Sequence, residues 1–211
     1  MTREPRPTRI DGEATRKRIL EAAGRLFAET GFAETTNKAI AAQAGADLAS
    51  INYHFGSRAG LYRAVLIEAH RRIISLDDLE RLLAANLTAS GKLKRLIARF
   101  VMGATAKRGW YAKVLSREIL SPSSHLSALS MPEIVAKMEI ALAILSEITA
   151  IPRDDPALMR CLMSVLAPCA MLLVGQQNIS PLPGAVLQMP RRVLIDHLHR
   201  FAMGGLEAMR R

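Results

Sequence analysis

The sequence predicts an all-α protein, and three observations carry that prediction. Apolar residues recur at the helical spacing i, i+3, i+4, i+7 in segment after segment. No stretch alternates apolar and polar residues as a half-buried strand does. Most of the prolines, among them Pro122, Pro132, Pro152, Pro156, Pro181, Pro183 and Pro190, fall where the helical segments break. No internal repeat or sustained heptad is visible.

Residues 1–13 place Arg3, Arg6 and Arg9 among Pro5, Pro7 and Gly12, which reads as a mobile basic arm. From about Glu13, Ile19, Ala22, Ala23, Leu26 and Phe27 mark one face of a first helix. Gly31 is placed for a left-handed C-cap. Thr35 or Thr36 then caps a short helix whose buried side is Ile40 and Ala41 and which Gly45 ends. Asp47 caps a second short helix, Leu48 to about His54, and Gly56 breaks it. Ser57 caps a long helix from about Arg58, with Leu61, Tyr62, Val65, Leu66 and Ala69 as its apolar stripe. Two short helices joined by a Gly-containing turn form a helix-turn-helix pattern. Further helices are expected near 92–106, 110–121, 132–150, 156–176 and 190–209. Pro168 falls inside one of them and is expected to kink it, at a cost of about 3 kcal/mol unless compensated.

Half of the 211 residues are apolar, enough for a substantial core. The residue pattern predicts no run of ~18–20 apolar residues that would span a bilayer, and the N-terminus lacks the apolar segment of a secretory signal. A cytoplasmic protein with no membrane partner is expected. Cys161 and Cys169 are too far apart on one helix for a disulfide and read as buried thiols, with a redox or metal sensor as the other reading. The formal net charge of +10 suggests a polyanionic partner. It is spread along the chain, since residues 1–72 hold 12 Lys/Arg against 8 Asp/Glu. No Cys/His spacing resembles a zinc site, no glycine-rich loop is built to cradle phosphate, and nothing assembles a catalytic triad. His197 and His199 are two apart and do not share a helix face. No metal, cofactor or enzymatic role is therefore expected.

The stretch SINYHFGSRAGLY, Ser50 to Tyr62, fits neither a core nor a solvated loop. In DLASINYHF, Ile51 and Phe55 are four apart and face inward. Ser50, Tyr53 and His54 project elsewhere, and Asn52 reaches either way. A helix entering a groove about 12 Å wide needs such hydrogen-bonding side chains outward and apolar ones behind. Asn pairs bidentately with adenine, Tyr and His reach phosphate or base edges, and Arg58 is placed to meet phosphate.

From Arg18 to Tyr62 the sequence resembles the N-terminal domain of the TetR family of transcriptional regulators. The shared features are ILEAA–LFAE–GF, the TT cap, IAAQAG before the turn, and INYHFGSR leading into a long helix. The resemblance implies a three-helix helix-turn-helix DNA-binding domain at 14–60 and a larger helical effector-binding and dimerisation domain at 61–211. The helix from about 58 links the two. It implies a repressor that binds a palindromic operator on double-stranded DNA as a homodimer, pairs through helices near 156–176 and 190–209, and is released by a small-molecule effector. By the family pattern Arg16, Lys17, Thr35, Thr36, Lys38, Ser50, Asn52, Tyr53, His54 and Arg58 are the DNA-binding positions. Leu48 stands where many members carry Lys, Asn52 where many carry Tyr, and Gly60 replaces a common acidic residue. LSREILSPS (115–123) and DDPALM (154–159) resemble the CecR-like subgroup. A ligand-independent regulator or activator shares the same DNA-binding pattern. A small helical enzyme or carrier is the reading from another class.

For the effector, Trp110, Tyr111, Arg117, Glu118 and His125 are candidates to line a pocket. The same residues read equally as inter-helix packing with an Arg–Glu pair. From Lys92 to Arg117 every Lys, Arg, Asp or Glu position is basic. Arg99 and its neighbours therefore form either a solvated face, an anionic-ligand site or a surface turned to DNA. Met138, Met159, Met163 and Met171 read as core fillers, or as adaptable contacts for an apolar ligand, with Met163 the candidate among them.

Overall fold

The computed structural model describes residues 9–106, 109–122, 132–175, 186 and 188–210. Helix α1 spans Arg9–Glu34, and the chain breaks inside it at Gly31, whose φ of 86° and ψ of 171° lie in a region that is essentially glycine's alone. Two differences from the sequence expectation follow. The helix starts at Arg9, inside the expected arm, with Asp11 in its first turn where a carboxylate favours the helix dipole. Gly31 is not a left-handed cap but a kink, after which one more helical turn runs to Glu34.

The carbonyls around this kink are accounted for by side chains from elsewhere. Arg117 donates to the carbonyls of Ala28 at 2.9 Å and Glu29 at 2.7 Å, and Thr35 donates to that of Gly31 at 2.6 Å. Arg58 donates to the carbonyls of Phe32 and Ala33. A helix end left without partners would strand several acceptors.

Helix α2 spans Asn37–Ala44, α3 Leu48–Phe55 and α4 Arg58–Ile73. Each is capped as its sequence asks. Thr36 accepts from the Ala39 amide, Asp47 from Ser50 and Ser57 from Gly60, and Gly45 closes α2 in the left-handed conformation. Helix α5, Leu76–Ala84, lies outside the helices expected from the sequence. Ser75 caps it, Asp77 and Asp78 occupy its first turn, and Leu79 and Leu82 bury its inner side. The later helices are α6 Ala89–Ala104, α7 Trp110–Leu120, α8 Pro132–Thr149, α9 Pro156–Gly175 and α10 Arg191–Ala208. No strand occurs among the described residues.

Helix α7 packs on both α1 and α4, and α9 lies among α6, α7, α8 and α10. One continuous core runs from Ile19, Phe27 and Ile51 through Leu61 and Leu66 to Ile97, Leu145 and Leu162. By length and composition α9 is apolar enough to cross a membrane, with a mean hydropathy of 2.0, which corrects the expectation that no segment reaches this threshold. Its inner side, including Leu158, Leu162, Cys169 and Leu173, is part of the core. Pro168 sits inside it without ending it.

Candidate nucleic-acid interface and the cavity behind it

Helix α3 is anchored by Ile51, which is fully buried, and by Phe55, which packs against the same core. That anchorage turns Asn52 and Tyr53 outward, and Tyr53 is 85% exposed. The Tyr53 ring stands edge-on to His54 at 4.9 Å, and His54 is half-buried. Ser50 is half-buried, and both its hydroxyl and its amide hold the Asp47 carboxyl below the usual carboxylate range. Leu48 opens the helix 52% exposed. Arg16, Lys17 and Lys38 are exposed, with the Arg16 guanidinium 5.1 Å from the Phe55 ring centroid. Thr36 is exposed at the start of α2. Arg16, Lys17, Thr36, Lys38, Ser50, Asn52, Tyr53 and His54 thus stay at or near the surface of the helix-turn-helix.

Two residues expected on that surface are turned away from it. Thr35 is 3% exposed and is spent on the Gly31 carbonyl and the Thr30 hydroxyl. Arg58 lies 4.3 Å over the Phe32 ring and donates to the two carbonyls that end α1. One guanidinium nitrogen makes both of these bonds, while Nε is buried without a hydrogen-bond partner among the described residues. Arg18, which the sequence did not single out, makes a similar contact by donating to the Ala44 carbonyl at 3.2 Å.

The effector candidates on α7 form a joint between the two halves of the chain. The Trp110 indole donates to Glu21 at 2.9 Å, and Arg72 pairs with the same Glu21 while lying 5.1 Å over the indole. Burial raises the Glu21 carboxyl, but the Arg72 and Trp110 hydrogen bonds outweigh it and hold the group low. Tyr111 is half-buried beside Trp110. Arg117 grips the carbonyls of α1. Glu118 is 3% exposed and accepts the Tyr62 hydroxyl at 2.6 Å. Burial, and then that hydrogen bond, push the Tyr62 phenol's pKa up. Tyr62 in turn stacks with Phe27 and Phe32 at 4.9 and 4.7 Å. Of these residues Glu118 also borders a cavity. Arg99 is on the surface, paired with Asp78 at 3.0 Å, and Lys94 pairs with Asp196 at 2.7 Å. Met163 is 59% exposed on the outer side of α9, and Met159 and Met171 are exposed with it, so none of the three fills the core. His125 lies outside the described residues.

Two apolar cavities adjoin inside the C-terminal half and share the walls His70, Ile74 and Phe100. One, of about 210 Å³, is closed by Leu115, Glu118 and Ile119 of α7 and by Leu173. The other, of about 190 Å³, is closed by α5, α6, α8 and α9 and contains Lys137 in its wall. Burial, then the Lys137 charge, pushes His70 down to about 4, against an opposing pull from Glu133. Burial pushes the Cys169 thiol up to about 11, and both cysteines are free and buried. Lys137 and His70 were missed by sequence reasoning. The signal was there for Lys137, a cation in the apolar run IVAKMEIALAIL at a core-facing position. No cluster of metal-ligating side chains occurs among the described residues.

Residues 19–65 match the family described as bacterial regulatory proteins, tetR family. Residues 89–206, more than half of the chain, match the C-terminal domain of the HTH-type transcriptional dual regulator CecR. The chain is 47% identical over 55 residues to the HTH-type transcriptional dual regulator CecR of Shigella flexneri, covering 26% of this chain and 24% of that one. It is 40% identical over 65 residues to the HTH-type transcriptional regulator TtgR of Pseudomonas putida, covering 31% of each. These matches span only about a quarter to a third of the curated relatives' length. Among solved structures, the fatty acid degradation regulator FadR from Bacillus halodurans has a TM-score of 0.71 at 17% identity, over 96% of this chain and 98% of that one. A TetR-like transcriptional regulator from Rhodococcus sp. RHA1 has a TM-score of 0.68 at 20% identity, over 95% and 98%. FadR from Bacillus subtilis in complex with stearoyl-CoA has a TM-score of 0.67 at 16% identity, over 90% and 98%. At these identities the likeness to the solved structures is one of fold.

Proposed function

Because the chain belongs to the TetR family of bacterial regulatory proteins, with a C-terminal half of the CecR type, we propose that it is a ligand-responsive repressor. It is a transcriptional regulator and not an enzyme. In the proposed cycle it acts in the cytoplasm, a homodimer holds a palindromic operator, and a small-molecule effector in the C-terminal half releases it. The observation that carries the reading is the presentation of α3, which Ile51 and Phe55 anchor from behind while Asn52 and Tyr53 stand free in front. Arg16, Lys17 and Lys38 flank that helix with charge for phosphate. Such a helix supplies base contacts in the major groove, and the flanking cations set its register.

The release step has a physical route. Leu115, Glu118 and Ile119 wall the cavity, while Trp110 and Arg117 on the same helix hold α1. An effector that favours one position of α7 biases the position of α1 and, with it, of α3. A ligand with equal affinity for both arrangements changes nothing. The stearoyl-CoA complex of the Bacillus subtilis neighbour supports a small-molecule effector for this architecture.

The test is selection of genomic DNA fragments by the purified protein at defined salt, with excess non-specific competitor. One enriched palindrome is the expected result. Tyr53→Ala should then lower affinity for it by about 10–100-fold, with circular dichroism unchanged. Undiminished affinity in both Tyr53→Ala and Asn52→Ala would remove α3 as the reading helix.

A further inference from the structure

The paired cavities carry a charge pattern that narrows what they hold. Lys137 is 9% exposed, and its ammonium is ion-paired with Glu133 at 2.9 Å. Glu133 also takes Arg71 at 2.8 Å. Two cations therefore share one carboxylate, and the local charge is positive. An ammonium has three donors; Glu133 faces one of them at 2.9 Å, and among the described residues no second acceptor meets the others. A buried cation short of partners is costly unless an acceptor comes to it. The wall around it is otherwise apolar, formed by Ile74, Phe100, Ile134, Met138 and Ala141. At the far end the charge reverses. Glu118 stands in the wall of the adjoining cavity and is engaged by Tyr62.

We propose that these cavities bind a medium-chain apolar monocarboxylate, its head on Lys137 and its chain passing Phe100 toward Ile119. The inference rests on the reading that this half of the chain receives the effector. The two ends set the specificity. Lys137, whose carboxylate partner Glu133 is shared with Arg71, selects an anionic head over a neutral or cationic one. Glu118 repels a second anionic group at the tail, so a dicarboxylate of the same length is rejected. The cavities, at about 210 and 190 Å³, sit at the small end of ligand pockets and suit a single chain rather than a bulky conjugate.

The experiment is calorimetric titration of the full chain with four probes of equal chain length: decanoate, decanol, decylamine and decanedioate. Decanoate is expected to bind about tenfold or more tightly than each of the others, the effect of a charge-assisted contact in an apolar site. Lys137→Met, which keeps the length and apolar bulk of the stem, should erase the preference for decanoate over decanol while decanol still binds. Equal binding of decanoate and decanol to the unaltered protein overturns the proposal without recourse to any variant. So does failure of all four probes to bind, or a preference for decanoate that survives Lys137→Met. The same preparation is used for DNA selection. An enriched palindrome with no acid preference leaves the regulator standing and removes this ligand class. Acid preference with no enriched DNA leaves the ligand site standing and removes the operator reading.

Discussion

A single arginine shows how a residue type and its destination part company. Arg58 opens α4 next to α3, the helix proposed to read DNA, and its charge and place suit a phosphate contact. Its guanidinium instead stacks on Phe32 and closes the carbonyl end of α1. Arg58→Ala should therefore lower stability by about 1–3 kcal/mol in urea unfolding, through the lost stacking and the stranded acceptors. The slope of log affinity against log salt should stay unchanged, because a phosphate contact would contribute roughly 1 to it. A slope reduced by that amount, with unfolding unchanged, would return Arg58 to the DNA. His70 makes a second prediction. Its folded pKa is depressed to about 4, so the unfolded chain binds the proton first as pH falls from about 6.5. Stability is then lost between pH 6.5 and 4, by at most about 3 kcal/mol. Burial raises Glu133, but Lys137 and Arg71 hold it below the usual carboxylate range, so it adds its own loss only at lower pH. Unfolding midpoints measured from about pH 7 to 5 should fall in the parent chain and flatten in His70→Gln.

Among the elements, α7 is the one on which the two halves meet. It approaches α1 closely enough that a Cβ on Gly24 would lie 2.4 Å from the Trp110 ring. In an exposed helix Gly→Ala gains about 1 kcal/mol, but overpacking costs about 1–3 kcal/mol, so Gly24→Ala should destabilise. Trp110→Leu opens the space, and the pair should be more stable than the sum of the single losses predicts. Additive losses in a double-mutant cycle would mean that the close approach is not limiting. Much at this scale was legible in the sequence, because caps act over three residues. Thr36, Asp47 and Ser57 each bind an amide three positions on, and the α4 stripe from Leu61 to Ala69 is buried throughout. Helix α5 carried the same kind of signal, with Ser75 as its cap and Leu79 and Leu82 at helical spacing, and was legible in the same way although it lies outside the sequence expectation. What stayed illegible was long-range. Arg117 caps carbonyls 88 and 89 residues away, and Trp110 reaches Glu21 across 89. Their residue types fit an effector pocket and an inter-helix joint equally, and only packing decides between them.

For the whole molecule, the outer faces of α9 and α10 are the feature that a single chain does not explain. Met159, Met163 and Met171 on α9 and Val193, Phe201 and Met209 at α10 are exposed, Phe201 to 71%. Between the two helices lies a groove of about 370 Å³ lined by Cys161, Val165, Phe201, Gly205, Leu206 and Met209. Gly204 and Gly205 have nothing within 4 Å of a Cβ, although glycine inside a helix costs about 1 kcal/mol each. A second copy laid against this face would use both features, because glycine allows close approach and a two-fold axis doubles every contact. Phe201→Glu should then weaken the dimer by roughly 10²–10⁴-fold, as each of two copies loses about 1.5–3 kcal/mol of burial and gains an unpaired charge. Sedimentation velocity across a concentration series reads that change directly. The same variant tests how the operator is held. A dimer engages two half-sites about 34–36 Å apart, and the second contact is intramolecular once the first is made. The monomer should keep the affinity of one recognition helix for one half-site and lose the advantage of the pair. Cutting the operator to one half-site should therefore cost the parent chain much of its affinity and cost Phe201→Glu almost none. If Phe201→Glu remains dimeric, the subunits meet elsewhere. If it becomes monomeric yet still prefers the full operator, the operator is not read as two halves.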